Sequence, residues 1–259
     1  MKLITPYLLP YKVKYRVSPL SVSRDLILQV HLVEPVSKDA SDAIKATVLP
    51  LLLMGSSGAL SGESIEPWNS EIRGWSGPVI QNHKMEWRLS SVRIDPQAWV
   101  MLAQMLLDDN EKYRIDRIEV LDPQCLEETV TLVTHVAGAN PYPGAWKGIK
   151  FSIDIDDDLY QNFTVYATFS RELTEEEQVL IDELLSSWAP GPMVGAYGVA
   201  PIPPSKCIGF PDEKIVFIEN QLEWAFSDFR AHTGALDGLI NVFASISETI
   251  VPIVEVQIV

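Results

Sequence analysis

Residues 84–93 read KMEWRLSSVR, and residues 221–230 read QLEWAFSDFR. Both carry Glu-Trp, then Ser, then Arg at one spacing, with Trp87 and Trp224 137 positions apart. Carried along the chain without gaps, this offset sets Leu26 on Phe163, Ser37 on Thr174 and Ile44 on Ile181. It also sets Gly58-Ala59 on Gly195-Ala196, Pro67 on Pro204, Ala98 on Ala235 and Leu102 on Leu239. A one-residue slip near the end lays Glu119 over Glu255. A shared register of boundaries over so much of each half is the mark of two structural copies, and it limits the fold to one that can be built twice.

Each copy follows the same order. Residues 25–33 and 162–170 alternate or run apolar like buried strands. A helical pattern follows, with Ser37 and Thr174 placed as N-caps and Thr174 through Glu177 spelling a capping box. Pro50 is expected to kink or end the first of these helices. The stretches GSSGALSG and PGPMVGAYG read as turns that need positive φ, with room for at most a short strand. The Glu-Trp strands come next, over 83–93 and 215–230. A second helix follows in each copy, starting at Asp95-Pro96 or at Thr233, and a last strand closes it.

The order β-α-β-β-α-β is that of a ferredoxin-like unit. The expected fold is α+β, a tandem duplication of that unit, with antiparallel sheets and helices on one face. Each copy has an extra leading strand, KVKYRV or KFSIDID, joined to the next strand as a hairpin. The expected divisions are 1–121 for the first copy, 122–147 for a Pro- and Gly-containing linker, and 148–259 for the second copy. TVTLVTHV within the linker alternates like an additional strand.

Strand side chains alternate faces, so Met85, Trp87 and Leu89, and likewise Leu222, Trp224 and Phe226, belong under the helices. The opposite faces carry Glu86, Arg88, Ser90, Gln29 and His31 in one copy and Glu223, Ala225, Ser227, Tyr166 and Thr168 in the other. If the two sheets face each other, Glu86, Glu223, His31, Tyr166, Ser90 and Ser227 line a polar pocket. Glu86 or Glu223 is then a raised-pKa acid/base. If they do not, these faces are solvated or serve as a docking platform. Arg93 and Arg230 are expected to pair with a carboxylate of their own copy.

The 259 residues hold 20 Lys+Arg against 35 Asp+Glu, a net charge of −15, which repels nucleic-acid backbones. Cys125 and Cys207 lack zinc or disulfide spacing. The four histidines do not recur at the offset, and neither HExxH nor the paired His-x-Thr/Ser motifs of two-unit phosphoesterases are present. GxxxxGK[ST] and a correctly spaced GxSxG are absent, and Asp154/Asp156/Asp158 lack the Gly and Glu of a calcium loop. No metal, cofactor or nucleic acid is therefore expected. No apolar run approaches the roughly 20 residues of a membrane span, so the expectation is an unexported cytoplasmic chain.

Acidity without catalytic chemistry points to a non-catalytic protein-binding module. A bacterial immunity-type protein that occludes a basic cognate toxin fits that description, with Trp68, Trp75, Tyr142 and Trp146 as exposed contact aromatics. The alternatives are an enzyme or small-molecule binder with the inter-sheet pocket, and a subunit of a larger assembly.

Overall fold

A computed structural model describes residues 3–17, 23–62, 65–69, 71–125, 131–139, 142, 144–156, 162–198, 210–211, 214–230 and 232–259. The strands are β1 (Leu3–Thr5), β2 (Lys12–Arg16), β3 (Arg24–Leu32), β4 (Glu71–Gln81), β5 (Lys84–Arg93), β6 (Ile115–Leu121) and β7 (Thr131–His135) in the first sheet. The second sheet holds β8 (Ser152–Ile155), β9 (Phe163–Phe169), β10 (Phe210–Pro211), β11 (Val216–Ile218), β12 (Gln221–Ser227) and β13 (Ile253–Ile258). The helices are α1 (Lys38–Ser56), α2 (Ala98–Met105), α3 (Leu107–Tyr113), α4 (Glu175–Trp188), α5 (Pro190–Met193) and α6 (Gly234–Thr249).

The protein is α+β with two mixed sheets. The first runs β1-β7-β2-β6-β3-β5-β4, and the second runs β10-β12-β9-β13-β8 with β11 also on β12. Within each, β6-β3-β5-β4 and β13-β9-β12-β11 are antiparallel neighbours in the same order. The expected purely antiparallel sheets are not found. Each leading strand pairs in parallel with the last strand of its half, β2 with β6 and β8 with β13, instead of forming a hairpin with the next strand. Strand β7, inside 122–147, joins the first sheet between β1 and β2.

The two halves match beyond strand order. Positive φ occurs at Gly58 and Gly195, Asn82 and Glu219, and Ser91 and Asp228, each pair at the same offset. The Asp25 carboxylate accepts from the Ser91 N–H, and the Asn162 carboxamide oxygen accepts from the Asp228 N–H, both at 3.0 Å. Leu32 N–H donates to His83 O, and Phe169 N–H to Asn220 O. Cross-strand registers align Glu86–Gln29–Glu119 with Glu223–Tyr166–Gln257. Glu119 therefore corresponds to Gln257, and the slip that laid it over Glu255 ran in the wrong direction.

One face of each sheet is covered by helices, and the helices of the two halves meet. α1 touches α4 and α5, and α4 touches α6. Every residue of α2 is buried, and so is nearly all of α6 up to Ile246. An all-round apolar helix such as AWVMLAQM needs neighbours on every side, and the centre of a sheet–helix–helix–sheet sandwich supplies them. Trp87 and Trp224 lie buried on the helix side as their alternation requires, and Trp224 packs edge-on to Trp188 of α4. The helix-free faces consequently point away from each other.

Of the two outcomes expected at Pro50, a kink or an end, the helix does not end there: α1 runs through Pro50 to Ser56. EIRGWSGPVIQ, with two glycines and a proline, carries no strand signal, yet it is β4. It is an edge strand, where a missing N–H costs little, and its register shifts between Ser76 and Val79 around Gly77-Pro78.

The caps of α1 and α4 form as read, whereas α2 starts at Ala98 after Gln97, not at Asp95-Pro96, and Thr233 precedes α6 without a side-chain cap bond. Ser37 Oγ accepts from Ala40 N–H, and Thr174 and Glu177 exchange both bonds of a capping box. Arg171 adds a bidentate grip on Glu177 at 2.6 and 2.8 Å. The guanidinium, with the Thr174 N–H, holds the Glu177 carboxyl at about 2, against an ordinary 4.5. A carboxyl depressed in the fold contributes stability above its unfolded pKa and loses it as pH falls through the folded value. Glu177→Gln is expected to flatten the fall in melting temperature between about pH 4.5 and about pH 2. Calorimetry across that window checks this, and parallel profiles for the two proteins would refute it.

Candidate functional site

The helix-free face of the first sheet carries an ordered polar network. Alternation on β2, β6, β3 and β5 brings Lys14, Glu119, Gln29, His31, Glu86 and Lys84 to one side. Lys14 Nζ lies 3.1 Å from Glu119, and His31 Nε2 lies 3.0 Å from the same carboxylate. His31 also contacts Gln29 Oε1, and Gln29 Nε2 donates to Glu86 at 2.9 Å. Lys84 closes the chain on Glu86 at 2.8 Å, and Arg117 reaches Glu119 at 3.3 Å.

This arrangement settles the protonation of its members. The Lys84 hydrogen bond, helped by Gln29, pulls the Glu86 pKa down despite partial burial. Glu86 is thus a held carboxylate, contrary to the expected raised-pKa acid/base. Burial pushes Glu119 up, but Lys14 and Arg117 outweigh it and its pKa falls. His31 is lowered by burial first and by Arg117 second. Each charge in the network is answered by a neighbour, so the network braces the face.

Beside it lies an open groove of about 660 Å³, lined by residues that include Ile27, Gly74, Trp75, Arg88, Ser90 and Pro123. Ser90 donates to Gly74 O at 3.2 Å, across the β4–β5 pair. The first sheet therefore brings together Glu86 and His31, with Ser90 further along β5. Glu223, Tyr166 and Ser227 lie on the second sheet, where Glu223 is directly opposite Tyr166. The six residues do not share a pocket, because both helix layers stand between the two polar faces. The space between the halves that Asp95, Tyr197, Gly234 and Gly238 help to line is about 10 Å³, room for one water molecule at most.

The four aromatics also separate. Tyr142 is 7% exposed, donates to Gly198 O at 2.8 Å and accepts from Gln104 at 2.9 Å. It is interior packing, which corrects its assignment as a contact residue. Trp68 and Trp146 are half-buried against each other, ring centroids 4.6 Å apart. Trp75, at 37% exposure on β4, is the open one of the four. Arg230 pairs with Asp228 at 2.6 Å, as expected, while Arg93 makes no ion pair among the described residues. Cys125 is a free thiol, and Cys207 lies outside the described residues. Among the described residues no group of His, Cys, Asp or Glu is placed to hold a metal, and no helix is long and apolar enough to cross a membrane.

Sequence reasoning missed Lys14, Arg117 and Glu119. Their signal, charges on alternate positions of KVKYR and IDRIEVL, is readable only once β2, β6 and β3 are known to be neighbours. It also missed how unevenly charge is divided. Residues 1–121 hold 14 Lys+Arg and 14 Asp+Glu, whereas residues 148–259 hold 5 and 18. Strands β8, β9, β12 and β13 contain neither Lys nor Arg.

No protein-family model and no curated protein matches the chain. Solved structures found by shape include a protease from Helicobacter pylori, 10% identical over 94% of this chain and 78% of that one, with a TM-score of 0.19. A conserved protein from Enterococcus faecalis V583 is 8% identical over 91% and 76%, with a TM-score of 0.16. The first half of the periplasmic protease PqqL from Escherichia coli is 11% identical over 88% and 69%, with a TM-score of 0.17. Likeness at this level carries no conclusion about fold or activity.

The network makes a titration prediction. His31 is expected to titrate below the ordinary 6.5, and Glu119→Gln, by removing a carboxylate that favours the imidazolium, to lower it further. Because the unfolded chain takes up this proton first, His31 erodes stability as pH falls below about 6.5. Imidazole Hε1 shifts followed by NMR check this, and a His31 that titrates above its ordinary value would show that Glu119 outweighs burial and Arg117, contrary to this expectation.

Proposed function

We propose that this chain is a non-catalytic, acidic protein-binding module of the bacterial immunity type, which neutralises a basic cognate toxin in the cytoplasm by occlusion. The observation that carries the reading is the segregation of charge. The excess of carboxylates lies in residues 148–259, while the first half is balanced and ties its polar face into internal pairs. A lobe with one sign of charge steers an oppositely charged protein and rejects nucleic acid. We read the two halves as tandem ferredoxin-like units, over 1–121 and 148–259 with 122–147 between them. The repeated strand order and the three recurrent positive-φ pairs support that reading. On it the first unit is the scaffold and the second presents the partner surface.

Co-expression with the product of the adjacent reading frame tests the reading. The expected outcome is a toxic neighbour whose toxicity is relieved, with a stoichiometric complex on gel filtration that weakens as salt is raised. A harmless neighbour, or a toxic one neither bound nor relieved, would overturn it.

A further inference from the structure

Strands β2 and β8 occupy the same place in their sheets. Val13 and Tyr15 stand opposite Ile118 and Val120 of β6, and Ile153 and Ile155 stand opposite Val256 and Ile258 of β13. The surroundings differ. β2 is covered on its far side by antiparallel β7, with Lys14 opposite Leu132, and β7 is covered by β1. Among the described residues β8 pairs with β13 alone. Val13 and Tyr15 are accordingly 4% and 2% exposed, while Ile153 and Ile155 are 38% and 40% exposed. The outward side chains change sign at the same positions, Lys14 opposite Glu119 becoming Asp154 opposite Gln257.

We infer that β8 is an acceptor edge, to which an extended segment of a partner protein adds as an antiparallel strand. The segment alternates apolar residues, which cover Ile153 and Ile155, with Lys or Arg facing Asp154. This rests on the proposed binding function and names the surface it uses. Three observations select the occupant. The apolar pair shares a face with buried Val256 and Ile258, so an added strand extends an existing core. The acidic residues Asp154, Glu255 and Glu223 are joined by no Lys or Arg on β8, β9, β12 or β13, so the face offers carboxylates to a basic segment. Two β8 edges of separate copies would bring Asp154 towards its own image, which disfavours self-pairing. Two further apolar edges compete among the described residues: β11, with Val216 and Ile218 exposed, is three residues long, and β4, with Trp75, Val79 and Ile80, is interrupted at Gly77-Pro78, where the proline has no N–H to give.

The test uses the full chain and a labelled, amidated peptide of sequence YKVKYRV, which has the required alternation. A peptide of the same composition with its basic residues in one block is the control. The alternating peptide is expected to bind, to slow amide exchange at Ile153 and Ile155, and to bind about tenfold more tightly than the control. Asp154→Lys and Ile155→Lys each weaken it about tenfold, with melting temperatures unchanged because both side chains are exposed. Equal binding of the two peptides, indifference to both substitutions, or protection on β4 instead of β8 would overturn the inference. Failure of the broader reading looks different. A neighbouring toxin that is neutralised while leaving exchange at β8 unchanged removes the edge alone, whereas the absence of any neutralised toxin removes the immunity reading whatever the peptide does.

Discussion

Burial of two helix layers between two sheets is the constraint on which the rest of this structure depends. α2 and α6 are apolar on nearly every side, so neither half can satisfy its helices alone. Joining the halves helix to helix supplies the missing surface. Gln104, the polar residue of α2, is buried with its amide satisfied by Tyr142 of the intervening segment and by Gly198 O of the second half. Leaving that amide unpaired would cost about 1–3 kcal/mol, so the bridge also fixes how the halves sit. The same requirement turns the polar sheet faces outward, and the space between the halves beside Asp95 and Tyr197 is about 10 Å³.

The parts of the fold legible in the sequence are those governed by local rules. Thr174 and Glu177 announce a helix start because a capping box uses neighbouring residues. Trp87 and Trp224 announce an inward face because alternation is a local property of a strand. What was not legible depends on partners distant in sequence. Nothing in KVKYR says that its neighbour is β6, 105 positions on, instead of β3, so the expected hairpin was replaced by a parallel pair. Nothing in EIRGWSGPVIQ favours a strand, and only its place at a sheet edge makes its glycines and proline tolerable.

The candidate site shows the same division. Glu86 and His31 were identifiable as outward polar residues, but His31 meets Glu119 of β6, which in turn meets Lys14 of β2. Read alone, Glu86 looks like a candidate acid. With Lys84 of its own strand and Gln29 of β3 holding it, it is a structural carboxylate. A polar face read one residue at a time overstates its chemistry, because the partners lie two positions along the strand or on the strand beside it.

The repeated phrase therefore says least about function where it is most alike. Trp87 and Trp224 recur because the packing problem recurs, and Ser91 and Asp228 because the same turn in the backbone recurs. The outward positions are free of that packing problem, and there the halves part. Lys14 becomes Asp154, and a covered strand becomes an open one. Ile153 and Ile155 stand beside buried Val256 and Ile258 with 38% and 40% of their surface open, which leaves an apolar edge that invites strand pairing. Ile153 and Ile155, kept beside an outward Asp154, combine an apolar surface suited to strand addition with a charge that discriminates among strands. Where two halves share a strand order and a packing problem, the place to look for function is where their equivalent positions differ.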